Sequence, residues 1–273
     1  MALTSSDFDF VRTFVAARAG IVLESGKEYL VEARLHPLAA RLGFGGIGDM
    51  VATLRRTSDK ELERRLIEAM TTNETTFFRD SAPFEALRLD VLPRLIDARR
   101  HTRQLTIWCA ASSTGQEPYS LAMLMAEHFP ALDTWNVQFI ASDLSLDVLE
   151  RAKAGRYSQL EVNRGLPVQY LMKYFTRHGS QWEIVPDIRR RVDFRQINLI
   201  EPWPLLPVFD LVFIRNVMIY FDVDAKRSIL ARIRQRLRPD GHLFLGAAET
   251  TMNIDAGFAR TDHERAGCYR LAA

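Results

Sequence analysis

Glu117 places a carboxylate at the mouth of a helix, directly after a turn of small residues, Ser112-Ser113-Thr114-Gly115-Gln116. The residues ahead of the turn, Leu105, Ile107, Trp108 and Cys109 followed by two alanines, are apolar and β-prone. Those behind it, Tyr119 to Phe129, form an apolar helical run entered through Pro118. The stretch reads as a buried strand, a tight turn and a helix, with Pro118 at the first helical position, where its missing N–H is not needed. In an open α/β sheet, ligands bind in the crevice beyond the carboxyl end of such a strand. The turn lacks the G-x-G-x-x-G spacing that lets a pyrophosphate approach backbone N–H groups, and a carboxylate at the helix entrance repels phosphate. The ligand it suits carries a cation, such as an amino group.

Two further strand ends add polar groups. Asp143 closes the apolar run Val137–Ser142, where an acidic residue can accept hydrogen bonds from both hydroxyls of a ribose; capping the helix that begins near Ser145 is its other reading. Asn198 follows the run Val192–Ile197 and can bond an adenine edge or serve as an ordinary turn residue. Taken together, Glu117, Asp143 and Asn198 describe a nucleoside with a positively charged tail.

These positions need a scaffold. Strand-like runs at Leu105–Ala110, Val137–Ser142, Val192–Ile197, Phe209–Ile214 and His242–Leu245 alternate with helical stretches at Pro118–His128, Ser145–Ala154 and Ala225–Leu237, which predicts a mostly parallel sheet flanked by helices. Residues 156–191 break the rhythm, with strand-like Trp182–Val185 as an insertion. Pro239-Asp240-Gly241 reads as a turn, and Phe258–Leu271 as a closing hairpin. A helix is expected over Ala82–Arg100. Ahead of it, residues 1–70 show helical patterns only and are expected to form a separate domain. Ser5 or Ser6 is expected to cap the first helix, Pro37 to kink or split the second (Ser25–Leu42, with Tyr29, Leu30, Ala33, Leu35, Leu38 and Leu42 apolar), and Ser58 with Glu61 to form a capping box for the fourth. Residues 71–81 read as an ordered, extended link: four threonines resist helix, and Phe77-Phe78-Arg79 is unlike a small, polar linker.

Composition sets outer bounds. With 36 basic and 34 acidic side chains among 273 residues, the charge is too balanced to argue for general nucleic-acid binding. Two cysteines form no framework or metal pattern, which points to a reduced, cytoplasmic setting. No apolar run approaches the ~20 residues of a membrane helix, and no H-E-x-x-H or cysteine cluster marks a metal.

The phrases MTTNETTFFRD, ASSTGQEPYSLAM, ASDLSLDVLERA and FDLVFIRNVMIYF, in this order, resemble the CheR family of chemotaxis-receptor methyltransferases, over nearly the whole chain. The resemblance implies a Rossmann-like α/β sheet that binds S-adenosylmethionine, a helical N-terminal domain for receptor recognition and a small inserted β-subdomain. It implies methyl transfer to receptor glutamates, with S-adenosylhomocysteine as product. By motif position it assigns Asn73, Thr75, Arg79, Glu117, Asp143, Asn198, Leu199, Arg215 and Asn216 to the cofactor, and Arg79 and Tyr220 to the neighbourhood of the transferred methyl. Gln116 stands where many members have Glu, and Ala247-Ala248 replace His-Ser before Glu249.

Receptor substrates of this family are helical bundles with acidic methylation sites. Arg34 and Arg41, seven residues apart on one helix and joined by Arg55 and Arg56, are the candidate contacts. Some members dock a receptor tail peptide on the inserted subdomain; the short turn Arg177–Glu183 lacks their longer loop, so such tethering is expected to be absent. Alternatives are methylation of another protein acceptor, or a cofactor-binding adaptor without transfer. The Asn/Asp-Pro-Pro-Tyr/Phe motif common in nucleic-acid amino methyltransferases is missing after Phe209–Ile214, where Arg215-Asn216-Val217-Met218 stands.

Overall fold

A computed structural model describes residues 3–263 and 265–272. The chain forms two compact units: one runs up to Thr72 and includes Tyr220–Ala225, the other comprises Asn73–Ile219 and continues from Lys226.

The first unit holds helices α1 (Ser5–Ala19), α2 (Glu28–Arg41), α3 (Ile47–Arg56) and α4 (Lys60–Met70). Their apolar stripes meet in a core of Val11, Val15, Val31, Leu35, Leu38, Met50, Val51, Leu66 and Met70, all buried. Thr4, not Ser5 or Ser6, caps α1, its side chain accepting the Asp7 N–H at 3.1 Å. Asp59, not Ser58, caps α4 by taking the N–H groups of Glu61 and Leu62; its charge also suits the positive end of the helix dipole. Pro37 lies inside α2 without splitting it. The carbonyl it leaves unpaired is that of Ala33, and both residues are on the exposed face, where water can take that bond. Tyr29, expected on the apolar side, is 63% exposed.

The second unit opens with the extended segment Asn73–Asp80 and a long helix made of α5 (Ser81–Ala86), a π-turn over Leu87–Val91 and α6 (Leu92–Arg99). It continues through β1 (Gln104–Ala110), α7 (Gln116–His128), β2 (Asn136–Asp143), α8 (Leu146–Ala154), β3 (Arg156–Ser158), α9 (Gln159–Asn163), α10 (Val168–Tyr174), β4 (Phe175–His178), β5 (Gln181–Ile184), α11 (Pro186–Arg189), β6 (Asp193–Gln196) and β7 (Phe209–Ile214). After α12 (Val223–Arg234), which begins within Tyr220–Ala225, come β8 (Leu237–Leu245), β9 (Phe258–Arg260) and β10 (Cys268–Leu271).

The main sheet has seven strands in the order β6-β2-β1-β7-β8-β10-β9. The first five are parallel, and β10 and β9 close the edge antiparallel. The α/β unit is therefore Rossmann-like, with a mixed sheet. β1 is buried from Leu105 to Ala110 but for half-exposed Thr106, and β7 throughout, as strands covered on both faces must be. From β1 the chain first moves outward to β2 and β6 and later returns to β7 and β8 on the other side, so strand order reverses beside β1. The insertion is a three-stranded antiparallel sheet, β3-β5-β4.

Pro239-Asp240-Gly241 does not stand before the last parallel strand but inside β8. Phe209 pairs with Leu237 and Leu211 with His242, so two steps along β7 oppose five along β8 and the turn residues bulge out of the ladder. Arg99 fixes the bulge through a two-pronged bond to Asp240, at 2.6 and 2.9 Å.

Candidate functional site

Parallel strands put their carboxyl ends on one edge, and the polar residues of the second unit collect there: Ser112–Glu117 after β1, Asp143 ending β2, Asn198 after β6, Arg215 and Asn216 after β7, and Glu249 after β8. Gly115, at φ 94°, starts α7 earlier than expected, at Gln116, so Pro118 is its third residue rather than its first. It is tolerated because the first four helical N–H groups lack an intrahelical partner in any case.

Asp143 is buried and oriented by two backbone donors. Its Oδ2 accepts the Ser113 N–H at 2.8 Å and its Oδ1 the Ser145 N–H at 3.0 Å. Ser145, not Asp143, caps α8, through the Val148 N–H. The carboxylate thus ties the turn after β1 to the end of β2 and stays on the strand edge. Asn198 accepts the Ile200 N–H at 3.2 Å, forming the turn that its residue type favours. The Leu199 carbonyl beside it is held by Trp203 Nε1 at 3.2 Å and by Arg232, whose guanidinium lies 4.4 Å from the Trp203 ring centre.

The strongest interactions belong to Arg215. Its side chain is 1% exposed and donates to Glu117 Oε2 at 2.5 Å, to Asp80 Oδ2 at 2.8 Å and to the Arg79 carbonyl at 3.0 Å. One guanidinium therefore joins the end of β7, the start of α7 and the Asn73–Asp80 segment. The Cys109 thiol donates to the other Glu117 oxygen at 3.4 Å. Burial first, and then the Glu117 charge, push that thiol far above its usual range, so it remains a neutral donor.

The Asn73–Asp80 segment is ordered, not solvated. Phe77 is fully buried, edge-on to Tyr157 at 5.0 Å and to Phe175 at 5.7 Å. The Phe78 N–H donates to Ser120 Oγ at 2.9 Å, and the Asn73 carbonyl accepts from Ser113 Oγ at 2.7 Å. Thr75 and Arg79 are half-buried on the same segment, and one Arg79 N–H goes to the Glu74 carbonyl at 3.2 Å. Among the described residues, seven non-glycine residues have positive φ, and five of them, Phe78, Asp80, Ala111, Ser113 and Asn216, lie in these turns. Such conformations cost energy and gather where surrounding structure imposes them for a purpose.

The donor set can be tested against a sulfonium nucleoside. Two buried polar atoms here, Ser112 Oγ and Arg215 Nε, have no protein hydrogen-bond partner, although buried polar groups are nearly always paired. A hydroxyl and a guanidinium N–H suit a ligand carboxylate, Glu117 an ammonium, and Asp143 a ribose diol. The residues fit an amino-acid-bearing nucleoside.

Of the sequence-predicted residues, Asn73, Thr75, Arg79, Glu117, Asp143, Asn198, Leu199, Arg215 and Asn216 all lie in the second unit, on the carboxyl edge or the segment bonded to it. Tyr220 is half-buried in the first, its carbonyl accepting the Val22 N–H at 2.9 Å. Arg34 is also there, its guanidinium occupied at the end of α4 by the carbonyls of Met70 and Thr71, at 2.6 and 3.1 Å, and by Thr72 Oγ1. Arg55 bonds Ser6 and pairs with Asp7, whereas Arg41 and Arg56 are exposed. Sequence reasoning gave no role to Ser113, Asp80, Arg232 or Glu249; only the small-hydroxyl character of the turn after β1 hinted at Ser113.

The profile of the family described as "CheR methyltransferase, SAM binding domain" matches residues 73–266, and that described as "CheR methyltransferase, all-alpha domain" matches residues 6–71. The chain is 45% identical to Chemotaxis protein methyltransferase 1 of Pseudomonas aeruginosa over 93% of each chain. It is 40% identical to Chemotaxis protein methyltransferase Cher2 of Pseudomonas putida, over 91% of this chain and 92% of that one. With Chemotaxis protein methyltransferase of Escherichia coli it shares 36% identity, over 94% and 89%.

Proposed function

The chain belongs to the CheR methyltransferase family, and from that premise we propose that it transfers methyl from S-adenosylmethionine to glutamate side chains of chemoreceptors. The observation that carries the reading is the grouping of Glu117, Asp143 and Arg215, with the unpartnered Ser112 Oγ and Arg215 Nε, at the carboxyl edge of β1, β2 and β7. When bound, S-adenosylmethionine supplies an electrophilic methyl on a sulfonium. Asp143 takes the ribose hydroxyls, Asn198 and Leu199 the adenine, Glu117 the ammonium, and Arg215 with Ser112 the carboxylate of the amino-acid end; Asn73, Thr75 and Asn216 complete the pocket.

A glutamate acceptor, with a pKa near ~4.3, is already ionised at neutral pH, so no general base is required. Transfer cancels the sulfonium charge against the carboxylate charge. Strong stabilisation of either ion would favour the ground state, so catalysis consists of aligning nucleophile, methyl and sulfur within about 3–3.5 Å and excluding water. By the family likeness, Arg79 and Tyr220 hold the acceptor carboxylate. The acceptor is a cytoplasmic helical bundle of the receptor; exposed Arg41 and Arg56 of the helical unit suit its acidic sites better than Arg34, which is engaged at the end of α4. The β4–β5 hairpin turns through only Gly179 and Ser180 between paired His178 and Gln181, and on the shortness of that turn rests the reading that a receptor tail peptide does not dock there.

Mass mapping of a receptor cytoplasmic fragment after reaction tests the acceptor: methyl on glutamate is expected, and methyl on lysine or a terminal amine would overturn the reading. Arg79→Ala should lower turnover, whereas Asp143→Ala should raise KM for S-adenosylmethionine about tenfold or more, as loss of a charged hydrogen-bond partner does. Wild-type kinetics in both variants would refute the residue roles.

A further inference from the structure

Glu249 carries an arrangement that the methyl-transfer roles do not use. Its carboxylate, in a residue 9% exposed, accepts five backbone N–H groups. Oε2 takes Gly246 at 2.6 Å and Asn216 at 2.8 Å; Oε1 takes Met218 at 2.7 Å, Val217 at 2.9 Å and Ile219 at 3.3 Å. Four of the five donors are consecutive residues after β7, immediately following Arg215. Asn216 is held at φ 59°, a conformation that a non-glycine side chain adopts at a cost, so something must compel it. Gly246 gives independent support: a Cβ there would lie 2.7 Å from Glu249 Oε2, 2.7 Å from Asn216 Nδ2 and 2.8 Å from the Asn216 backbone nitrogen. The end of β8 is left without a side chain so that the carboxylate and the Asn216 turn can close on it.

We infer that Glu249 is a positioning residue for methyl transfer, its carboxylate setting the Asn216–Ile219 turn and thereby the placement of Arg215 and Asn216 at the cofactor pocket. The inference rests on the proposed function only in assigning those two residues to S-adenosylmethionine. A carboxylate is the side chain suited to this task, because it offers two acceptor oxygens and no donor. Glutamine in its place would turn an NH2 group toward either two or three backbone N–H groups. Alanine would leave five of them unpaired, in a nest shaped for an anion.

The test uses the full chain and S-adenosylhomocysteine as probe. Calorimetry should show Glu249→Gln binding the probe about tenfold or more weakly, the loss expected for a charged hydrogen-bond acceptor. KM for S-adenosylmethionine should rise in parallel, while KM for a receptor fragment stays within about twofold. Gly246→Ala, which crowds the same nest and leaves the carboxylate chemically intact, should reproduce that split and is the variant to read if Glu249→Gln does not fold. Added formate should restore part of the probe affinity to Glu249→Ala, an effect that general destabilisation would not produce. Probe binding within twofold of wild type in folded Glu249→Gln, or equal rises in both KM values, would overturn the inference. Failure of the wild-type chain to bind the probe would instead overturn the cofactor assignment itself.

Discussion

Removing the Arg215 guanidinium should destabilise the protein far more than removing a typical arginine. Its side chain is 1% exposed and its partner Glu117 is 12% exposed, so Arg215→Met leaves a carboxylate buried without its counter-charge. Breaking such a pair from one side costs about 3–5 kcal/mol. The second partner, Asp80, has a side chain 46% exposed and can be rehydrated, so it adds no more than about 1 kcal/mol. For a unit of this size, 1 kcal/mol corresponds to roughly 2–4 °C, so the main term predicts a melting point lowered by about 6–20 °C. The double variant Arg215→Met with Glu117→Gln removes both charges and should recover most of the loss, because a buried pair replaced by neutral groups is often close to neutral in stability. Neither Arg215→Met nor the double variant should bind S-adenosylhomocysteine well, since the Arg215 donors are gone from both and the double variant also lacks the Glu117 charge; recovery of stability without recovery of binding separates the two roles. Thermal melts and calorimetry on wild type, both single variants and the double form the assay. A loss below about 1 kcal/mol in Arg215→Met, or a double variant no more stable than it, would refute the account of Arg215 as a buried electrostatic joint.

Two further predictions concern the scaffold. Phe77→Ala opens a void beside Tyr157 and Phe175 at a fully buried position, and should cost about 3–5 kcal/mol in denaturant unfolding. It should also weaken S-adenosylhomocysteine binding, because Phe77 anchors the segment that carries Asn73, Thr75 and Arg79; unchanged affinity would show that the segment is held elsewhere. Burial, with a smaller contribution from Arg270, pushes the His242 imidazole down from 6.5 to about 4. Between those values the unfolded chain binds the extra proton, so the contribution of His242 to stability should be constant above about pH 6.5, fall by roughly 3 kcal/mol as pH drops toward about 4, and change no further below. His242→Gln should flatten that part of the profile, and an equally steep acid loss in the variant would assign it to other groups.

The strands that carry the chemistry were legible because they are local in sequence. β7 was read at its observed limits, and β1 and β2 within a residue or two at each end, since runs buried on both faces are continuously apolar. The turn after β1 announced itself through small hydroxyl residues and Gly115. What sequence could not show were partners far apart along the chain. Glu117 looked like a lone acceptor for an ammonium, yet it is paired with Arg215, 98 positions away. Arg34 looked like one of a basic pair with Arg41, but the carbonyls at the end of α4 claim its guanidinium. Local signals also lost to neighbours: a capping box at Ser58 yielded to the better-placed carboxylate of Asp59, and a proline-glycine turn became a bulge because Arg99 holds Asp240 beside the sheet. Glu249 was invisible for another reason, since its donors are backbone groups and leave no mark on residue type.

The central claim is that a carboxylate accepts the methyl group. Incubating the protein with methyl-labelled S-adenosylmethionine and a chemoreceptor cytoplasmic fragment, then treating the product with mild alkali, tests it most directly. Glutamate methyl esters hydrolyse and release the label as volatile methanol, whereas N-methyl groups keep it. The account predicts label that enters the fragment and leaves as methanol; label that enters the fragment and survives alkali would contradict it.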